Sequence, residues 1–538
     1  MTGNLDSKRL GAGRVWALLV ACLAVGLVIA GMVALYGALP SIATATGASQ
    51  QQLTWITDSY TLALACLVLP GGALGDRYGR RRMMVAGLIV LAAGSLIPLV
   101  VSGPVWLIAA RAVTGAGAAL VMPSTLSLLT AEFPASRRGL AVGIWAAAVA
   151  CGGAIGLLGA GALLMWWSWT AILVAMAGAG LILAVAACTV AESVEESRLR
   201  FDTAGAVVGA VAIGSVVFAA SEVPLVGWSD PLVLVLLAVG LGATALFVAV
   251  ELRADAPMLD VRLFADRRFG SGAFTITAQF LVVFGVFMLV VQYLQLVLGY
   301  GPLGAALAVA PIMVPLMLVS PVAPWLSERV GLRAMMASGL AVTAVGMFGL
   351  ARLSVGSGYV ELLWALVVIG FGIALSATPA TAAIVGAVPT HKHGVAAAVN
   401  DATREVGAAI GIAVVGSLLA AGYRERIGPV VAALPPELRA PVAASPAAAL
   451  EAAGVFGPAA RPLVEQIEEA FVHGSGAAAT VLGTGVLAAA VVTVFWAPGR
   501  VRSAATDSGV DEQASESTPD DTPVVATGKR AETGTSLN

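Results

Sequence analysis

Five ionisable side chains stand inside long apolar stretches of this 538-residue sequence: Asp58, Arg111, Asp401, Arg404 and Glu405. Asp58 lies in LTWITDSYTLALACLVL, and no charge follows it before the stretch ends at Leu69. A carboxylate in such a segment costs several kcal/mol unless it has a partner or a task. Asp58 is six residues past Gln52 and Arg111 is seven past Pro104. At 1.5 Å per helical residue, both sit about 9–10 Å in from the same end of their helices. Equal depth allows a pair, direct or through water. The proton affinity of the acid then depends on where the guanidinium points, which is what proton coupling requires. The other reading is a static ion pair tying two helices together. Covalent chemistry is not indicated. The three histidines (His391, His393, His473) lie at or near loops, and no nucleotide-binding glycine loop is present.

The elements that must hold these groups are membrane helices. Hydrophobic residues make up 59% of the chain and charged residues 11%, against about 25% charged in a soluble domain. The mean hydropathy is +0.94. Fourteen spans are expected, near 15–38, 53–74, 83–102, 105–129, 140–163, 168–190, 204–221, 231–250, 271–298, 303–325, 334–352, 361–386, 395–422 and 475–497. The loops alternate sharply. Arg77, Arg80–Arg82, Arg137, Arg138, Arg262, Arg267, Arg268, Arg329, Arg333 and Lys392 fall on one side, whereas GASQQQ, VSGP and LLMWW on the other hold no basic residue. The positive-inside rule then puts both termini in the cytoplasm of a multi-pass protein of the cell membrane. Cys22, Cys66, Cys151 and Cys188 are dispersed within apolar runs, so neither a disulfide framework nor a metal site is expected. Residues 424–470 read as an external loop with a helical segment near PAARPLVEQIEEAF, and 499–538 as a disordered cytoplasmic tail.

An internal repeat organises the spans. VTGAGAALVMPSTLSLLTAEFPASRRG matches VVIGFGIALSATPATAAIVGAVPTHKHG, with Gly115/Gly370, Gly117/Gly372, Pro134/Pro389, Gly139/Gly394, Gly152/Gly407 and Gly156/Gly411 all at one offset. GDRYGRRR also matches SERVGLR. Composition alone does not hold one offset across six pairs. Spans 9–14 therefore repeat spans 1–6 in the same orientation, with spans 7 and 8 inserted. The expected divisions are a cytoplasmic N-terminus (1–13), a six-helix bundle (14–192), a linker with the inserted helices (193–267), and a second bundle (268–498). Two parallel six-helix repeats are the architecture of major facilitator transporters, with a site between halves that rock against each other.

Specific motifs carry the same likeness. GGALGDRYGRRRMM (71–84) resembles the major facilitator signature between the second and third helices, with Gly72, Leu74, Asp76, Arg77, Gly79, Arg80 and Arg81 at its positions. RAVTGAGAALVMPSTL resembles the fourth-helix signature. With WITDSY, APMLDVRLF and NDATREVGAAIGIAVVGS, the chain resembles the 14-helix drug:proton antiporters over about residues 14–500, and their quaternary-ammonium (Qac-type) exporters most. Two positions depart from that pattern. Gly31 stands where the family commonly has a first-helix acid, and Leu157 replaces the proline of the fifth-helix antiporter signature.

The resemblance implies an all-α major facilitator fold of fourteen helices and a secondary transporter, not an enzyme. It would export lipophilic, cationic compounds in exchange for protons, as a monomer, without cofactor, metal or nucleic acid. Asp58 and Arg111 are the candidates for proton coupling, and Asp58, Tyr36, Trp145, Asp401 and Glu405 for substrate binding. Phe284, Phe287, Tyr293 and Trp364 are further aromatics able to face a cation. Asp401, Arg404 and Glu405, in the first two turns of span 13, read either as a cytoplasmic vestibule or as a snorkelling ion-pair cluster. Asp76 should face the helix start near Gly394, forming a conformational latch with Gly72, Arg77, Gly79, Arg80 and Arg81. A dedicated exporter of one metabolite, antibiotic or lipid, and a non-transporting scaffold or sensor, are the alternatives.

Overall fold

The computed structural model describes residues 12–48, 50–192, 202–254, 257–436, 439, 442–443, 445–454 and 460–499. Positions 1–11 and 500–538, which hold most of the expected N-terminal segment and tail, lie outside the described residues. The first half begins with α1 (Ala12–Val33), which breaks at a 3-10 turn and continues as α2 (Leu39–Thr46). Next come α3 (Gln50–Tyr78), α4 (Arg80–Val100), α5 (Pro104–Glu132), α6 (Ala135–Leu164) and α7 (Thr170–Cys188). The inserted hairpin is α8 (Thr203–Val226) and α9 (Pro231–Arg253). The second half runs through α10 (Arg267–Leu296), α11 (Pro302–Val309), α12 (Met313–Val319), α13 (Ala323–Val330), α14 (Leu332–Leu350), α15 (Tyr359–Gly386) and α16 (His393–Ala433). It ends with α17 (Pro446–Gly454) and α18 (Arg461–Trp496). Among the described residues, thirteen stretches are long and apolar enough to span a bilayer, and the bent series α11–α13 makes a fourteenth.

That series is expected from sequence as one span, 303–325, yet it bends by 59°. Pro311, Pro315, Pro321 and Pro324 each lack a backbone N–H and crowd the preceding turn, so the ladder cannot run straight.

The repeat reappears as repeated packing. A β-carbon on Gly115 would strike the Tyr60 carbonyl, and one on Gly370 would strike the Ile312 carbonyl, 252 positions later. Gly117 sits on the Gly87 carbonyl and Gly372 on that of Gly339; Gly156 meets Ala30 as Gly411 meets Leu281. Glycine lets these helices approach backbone to backbone, where packing rather than hydrophobicity must supply the attraction in lipid. Gly79 and Gly331, at φ of 106° and 103°, make the same sharp turn in each half. That region is open to glycine and closed to most other residues.

The inserted helices differ from each other. α8 lies against both α3 and α16, bridging the halves on one side. α9 is peripheral: only 17% of its most apolar window is buried. Within 424–470 the helical segment expected near PAARPLVEQIEEAF is present, and the other described residues there are also mostly helical. α16 runs on to Ala433, α18 begins at Arg461, and α17 packs against α18. Tyr423, Ile427, Val442, Ala449, Ala453, Ile467 and Ala470 form a separate small core there. Continued apolar spacing on the inner face of both long helices explains why these helices run on beyond the spans.

Candidate functional site

Asp58 faces a cavity rather than Arg111. Their helices pack directly, but no ion pair joins the two among the described residues. Asp58 Oδ1 accepts the Thr57 hydroxyl at 3.1 Å. Arg111 is 2% exposed and turned toward backbone: its Nε donates to the Ile56 carbonyl at 3.1 Å and Nη1 to the Gly31 carbonyl at 2.9 Å. Its guanidinium lies 4.3 Å from the centre of the Tyr60 ring. The Tyr60 hydroxyl donates in turn to the Val28 carbonyl at 2.7 Å. Arg111 thus clips α1, α3 and α5 together through carbonyl oxygens and an aromatic face. At Gly31, a β-carbon would collide with Met176, and the position contributes a carbonyl where an acid is expected.

The cavity holds about 750 Å³ of empty space, measured out to its open mouth. Asp58 from α3, Glu222 from α8 and Glu405 from α16 line it, with Tyr36, Trp55 and Phe284 as its aromatic walls. Trp55 is braced edge-on by Phe218, ring centres 5.1 Å apart. None of the lining residues is Lys, Arg or His. The wall therefore presents three carboxylates and three aromatic faces and no basic side chain. Sequence reasoning missed Glu222, because the apolar run ends at Ala220 although the helix continues to Val226.

The acidic cluster of α16 corrects the sequence reading. α16 begins at His393, so Asp401 and Glu405 lie about two and three turns inside it. Asp401 is 0%, Arg404 4% and Glu405 6% exposed, so they neither snorkel nor form an open vestibule. The Arg404 guanidinium packs between Trp145 and Phe280, 4.9 Å from each ring centre. Glu405 reaches the cavity. Asp401 does not: it accepts from Asn400 Nδ2 at 3.2 Å, and Asn400 accepts the Thr381 hydroxyl at 2.8 Å. Trp145 is also absent from the cavity wall. It is fully buried, with its indole N–H on the Thr125 hydroxyl at 3.0 Å.

The remaining aromatics divide by position. Phe284 lines the cavity, and Phe287 packs against the second-half core. The Tyr293 hydroxyl donates to the Ser354 and Ser357 carbonyls, while Trp364 is 45% exposed on the outer surface.

Asp76 lies at the opposite end of α3, eighteen residues or about 27 Å from Asp58. Its Oδ1 accepts the Gly394 N–H at 2.9 Å and its Oδ2 the Val395 N–H at 3.0 Å. Arg80 pairs with Asp76 at 3.0 Å and donates to the Thr390 carbonyl at 2.5 Å. Gly72 makes room: a β-carbon there would meet the Gly394 carbonyl and Ala398 at 2.5 Å. Gly79 starts α4, which brings Arg80 back toward Asp76. Arg81 points elsewhere, pairing with Glu192 at 3.3 Å and donating to the Val190 carbonyl at 3.1 Å. Arg77 lies over the neighbouring Tyr78 ring. No cluster of metal-ligating groups occurs among the described residues.

Comparison with known proteins gives one consistent result. The sequence profile of the Major Facilitator Superfamily matches residues 21–412. The chain is 34% identical over 394 residues to the multidrug resistance protein Stp of Mycobacterium tuberculosis, covering 73% of each. It is 35% identical over 486 residues to the multidrug efflux pump LfrA of Mycolicibacterium smegmatis, covering 89% of this chain and 95% of LfrA. Among solved structures, the human organic anion transporter MFSD10 superposes with a TM-score of 0.60 at 13% identity, over 89% of this chain and 99% of that one, a likeness of fold. The fourteen-span all-helical fold, the repeated halves and the extent of these matches make this multi-pass membrane protein a member of the Major Facilitator Superfamily.

Proposed function

We propose that the protein exports lipophilic cationic compounds across the cytoplasmic membrane in exchange for protons, by alternating access. The observation that carries this reading is the cavity in which Asp58, Glu222 and Glu405 stand among Tyr36, Trp55 and Phe284 with no basic residue in the wall. Carboxylates confined there favour a positive partner, and a proton or a bound cation is able to supply one. Aromatic faces favour cations with apolar bodies, by about 0.5–2 kcal/mol each when desolvated. Export of drugs is also what the names of Stp and LfrA state for those proteins.

In this mechanism a cation displaces protons from the cavity carboxylates, and protonation from the far side later expels it. Asp58 is the principal exchanging acid. Arg111 acts indirectly: by holding Ile56 and Gly31 it fixes the turn that presents Asp58 to the cavity. Asp76, on the helix start at Gly394, is the latch between the halves 14–192 and 268–498. Opening it would admit substrate from the arginine-rich side, which the positive-inside pattern assigns to the cytoplasm along with both termini. The reading is of a monomer whose cavity is built from one chain. Efflux of ethidium from loaded vesicles, with and without a proton gradient, tests the reading: gradient-dependent efflux is expected.

A further inference from the structure

The inserted hairpin lies outside both repeats, yet its first helix packs against α3 and α16 at the level of the cavity. Contacts on both flanks fix it there. Toward α3, Cys66 Sγ fills the space that a β-carbon on Gly214 would need. Toward α16, Pro224 lies on Gly416, and the Trp228 indole N–H, just past α8, donates to the Ser417 hydroxyl at 2.8 Å. Ala65 of α3, Val217 and Ala220 of α8, and Ala409 and Ala413 of α16 share a small core. So held, α8 sets the Phe218 ring against Trp55, with centres 5.1 Å apart and planes at 67°. Trp55 lines the cavity and Phe218 does not. The repeat supplies a comparison within the chain. At the 252-residue offset that relates Gly79 to Gly331, Trp55 corresponds to Leu307, which is 52% exposed. The braced aromatic occurs where the insert lies and not at the repeat-related position.

We propose that Phe218 is a positioning residue for the transport site: from the inserted helix it fixes the Trp55 indole at the cavity wall, and thereby favours flat aromatic cations over globular alkyl ones. An edge-to-face pair restricts both rings beyond what burial alone does. A flat ring system stacks on an indole only when their planes align, so it gains from an indole already held in one orientation. A roughly spherical alkylammonium meets the same ring at many angles. Its affinity depends on the presence of Trp55 but not on how firmly the ring is held. The inference rests on the reading of the cavity as a cation site. It adds which cations that site prefers, and names a residue outside the wall that decides it.

The experiment measures Kd for ethidium and for tetrabutylammonium on the purified full-length protein in detergent, by calorimetry. Phe218→Leu keeps an apolar side chain without the ring. It should weaken ethidium about fivefold and tetrabutylammonium by less than about twofold. Trp55→Ala should weaken both. Because Phe218 acts through Trp55, adding Phe218→Leu to Trp55→Ala should cost ethidium nothing further. Phe218→Tyr, which restores a ring, should recover wild-type affinity. A merely structural role for Phe218 would lower the melting temperature without moving the ratio of the two Kd values. An unchanged ratio in folded Phe218→Leu protein, or a Phe218→Leu effect that persists without Trp55, would overturn the inference while leaving the cation site intact. A wild type that binds neither cation would overturn the cation reading and this inference with it.

Discussion

Asp76 and Gly394 lie 318 positions apart in sequence and are joined by a 2.9 Å hydrogen bond from the Gly394 N–H to Asp76 Oδ1. Val395 donates to the other oxygen, so one carboxylate takes two of the free N–H groups at the start of α16. Those N–H groups have no intrahelical acceptor, and the positive end of the helix dipole favours the negative charge. The contact crosses from the first half to the second.

Asp76→Asn keeps the shape but removes the charge, weakening two charge-assisted bonds by about 1–3 kcal/mol in all. The equilibrium should shift toward the state open at the latch end by roughly tenfold or more. Maleimide labelling of a cysteine placed at Ala398 measures this, and labelling should be faster in the variant. Transport should fall with it.

Gly72→Ala should mimic that shift through sterics alone. Its β-carbon would overlap the Gly394 carbonyl and Ala398, costing about 1–3 kcal/mol in the closed latch and nothing once the helices part. The same Ala398 probe should label faster, with the Asp76 charge intact.

Trp145→Phe separates a packing role from a binding role. Trp145 touches Thr125 and Arg404 and is absent from the cavity wall. The substitution should lower thermal stability by about 1–2 kcal/mol and leave the KM for a cationic dye within about twofold. Phe284→Ala, at the cavity wall, should do the reverse and raise KM several-fold.

Tyr423→Phe probes the ordered region beyond the spans. The Tyr423 hydroxyl donates to the Val442 carbonyl at 2.8 Å, a buried bond worth about 1 kcal/mol. Melting of the purified protein should drop modestly, while efflux is unchanged because the cavity lies elsewhere.

The fold was legible because membrane spans and repeats are written in composition and in glycine spacing. The pairs Gly115/Gly370 and Gly117/Gly372 mark helix contacts that recur almost residue for residue. The Asp76–Gly394 contact was legible for a similar reason: the repeat symmetry brings the second and thirteenth spans together, which sets Asp76 against the helix start. What depends on side-chain direction was not legible. Depth along α3 and α5 makes Asp58 and Arg111 neighbours, yet the guanidinium takes carbonyls and the Tyr60 ring, leaving Asp58 to the cavity. Trp145 looks like a cation-binding aromatic from its sequence setting, but its rotamer points into the core. Glu222 escaped because a span was expected to stop where hydrophobicity stops, whereas the helix runs on for another turn into the site. Within 424–470 the helical segment near PAARPLVEQIEEAF was legible, whereas the small core that joins Tyr423, Val442, Ala449 and Ile467 was not, because its apolar positions come from separate stretches that meet only in the fold.

The most direct test of the account is ethidium efflux from vesicles bearing wild type or Asp58→Asn, with and without a proton gradient. The account predicts that wild-type efflux collapses when the gradient is dissipated, and that the well-folded Asp58→Asn protein shows at least about tenfold less gradient-driven efflux. Equal efflux by both proteins, with equal dependence on the gradient, would contradict it and make Asp58 a structural residue.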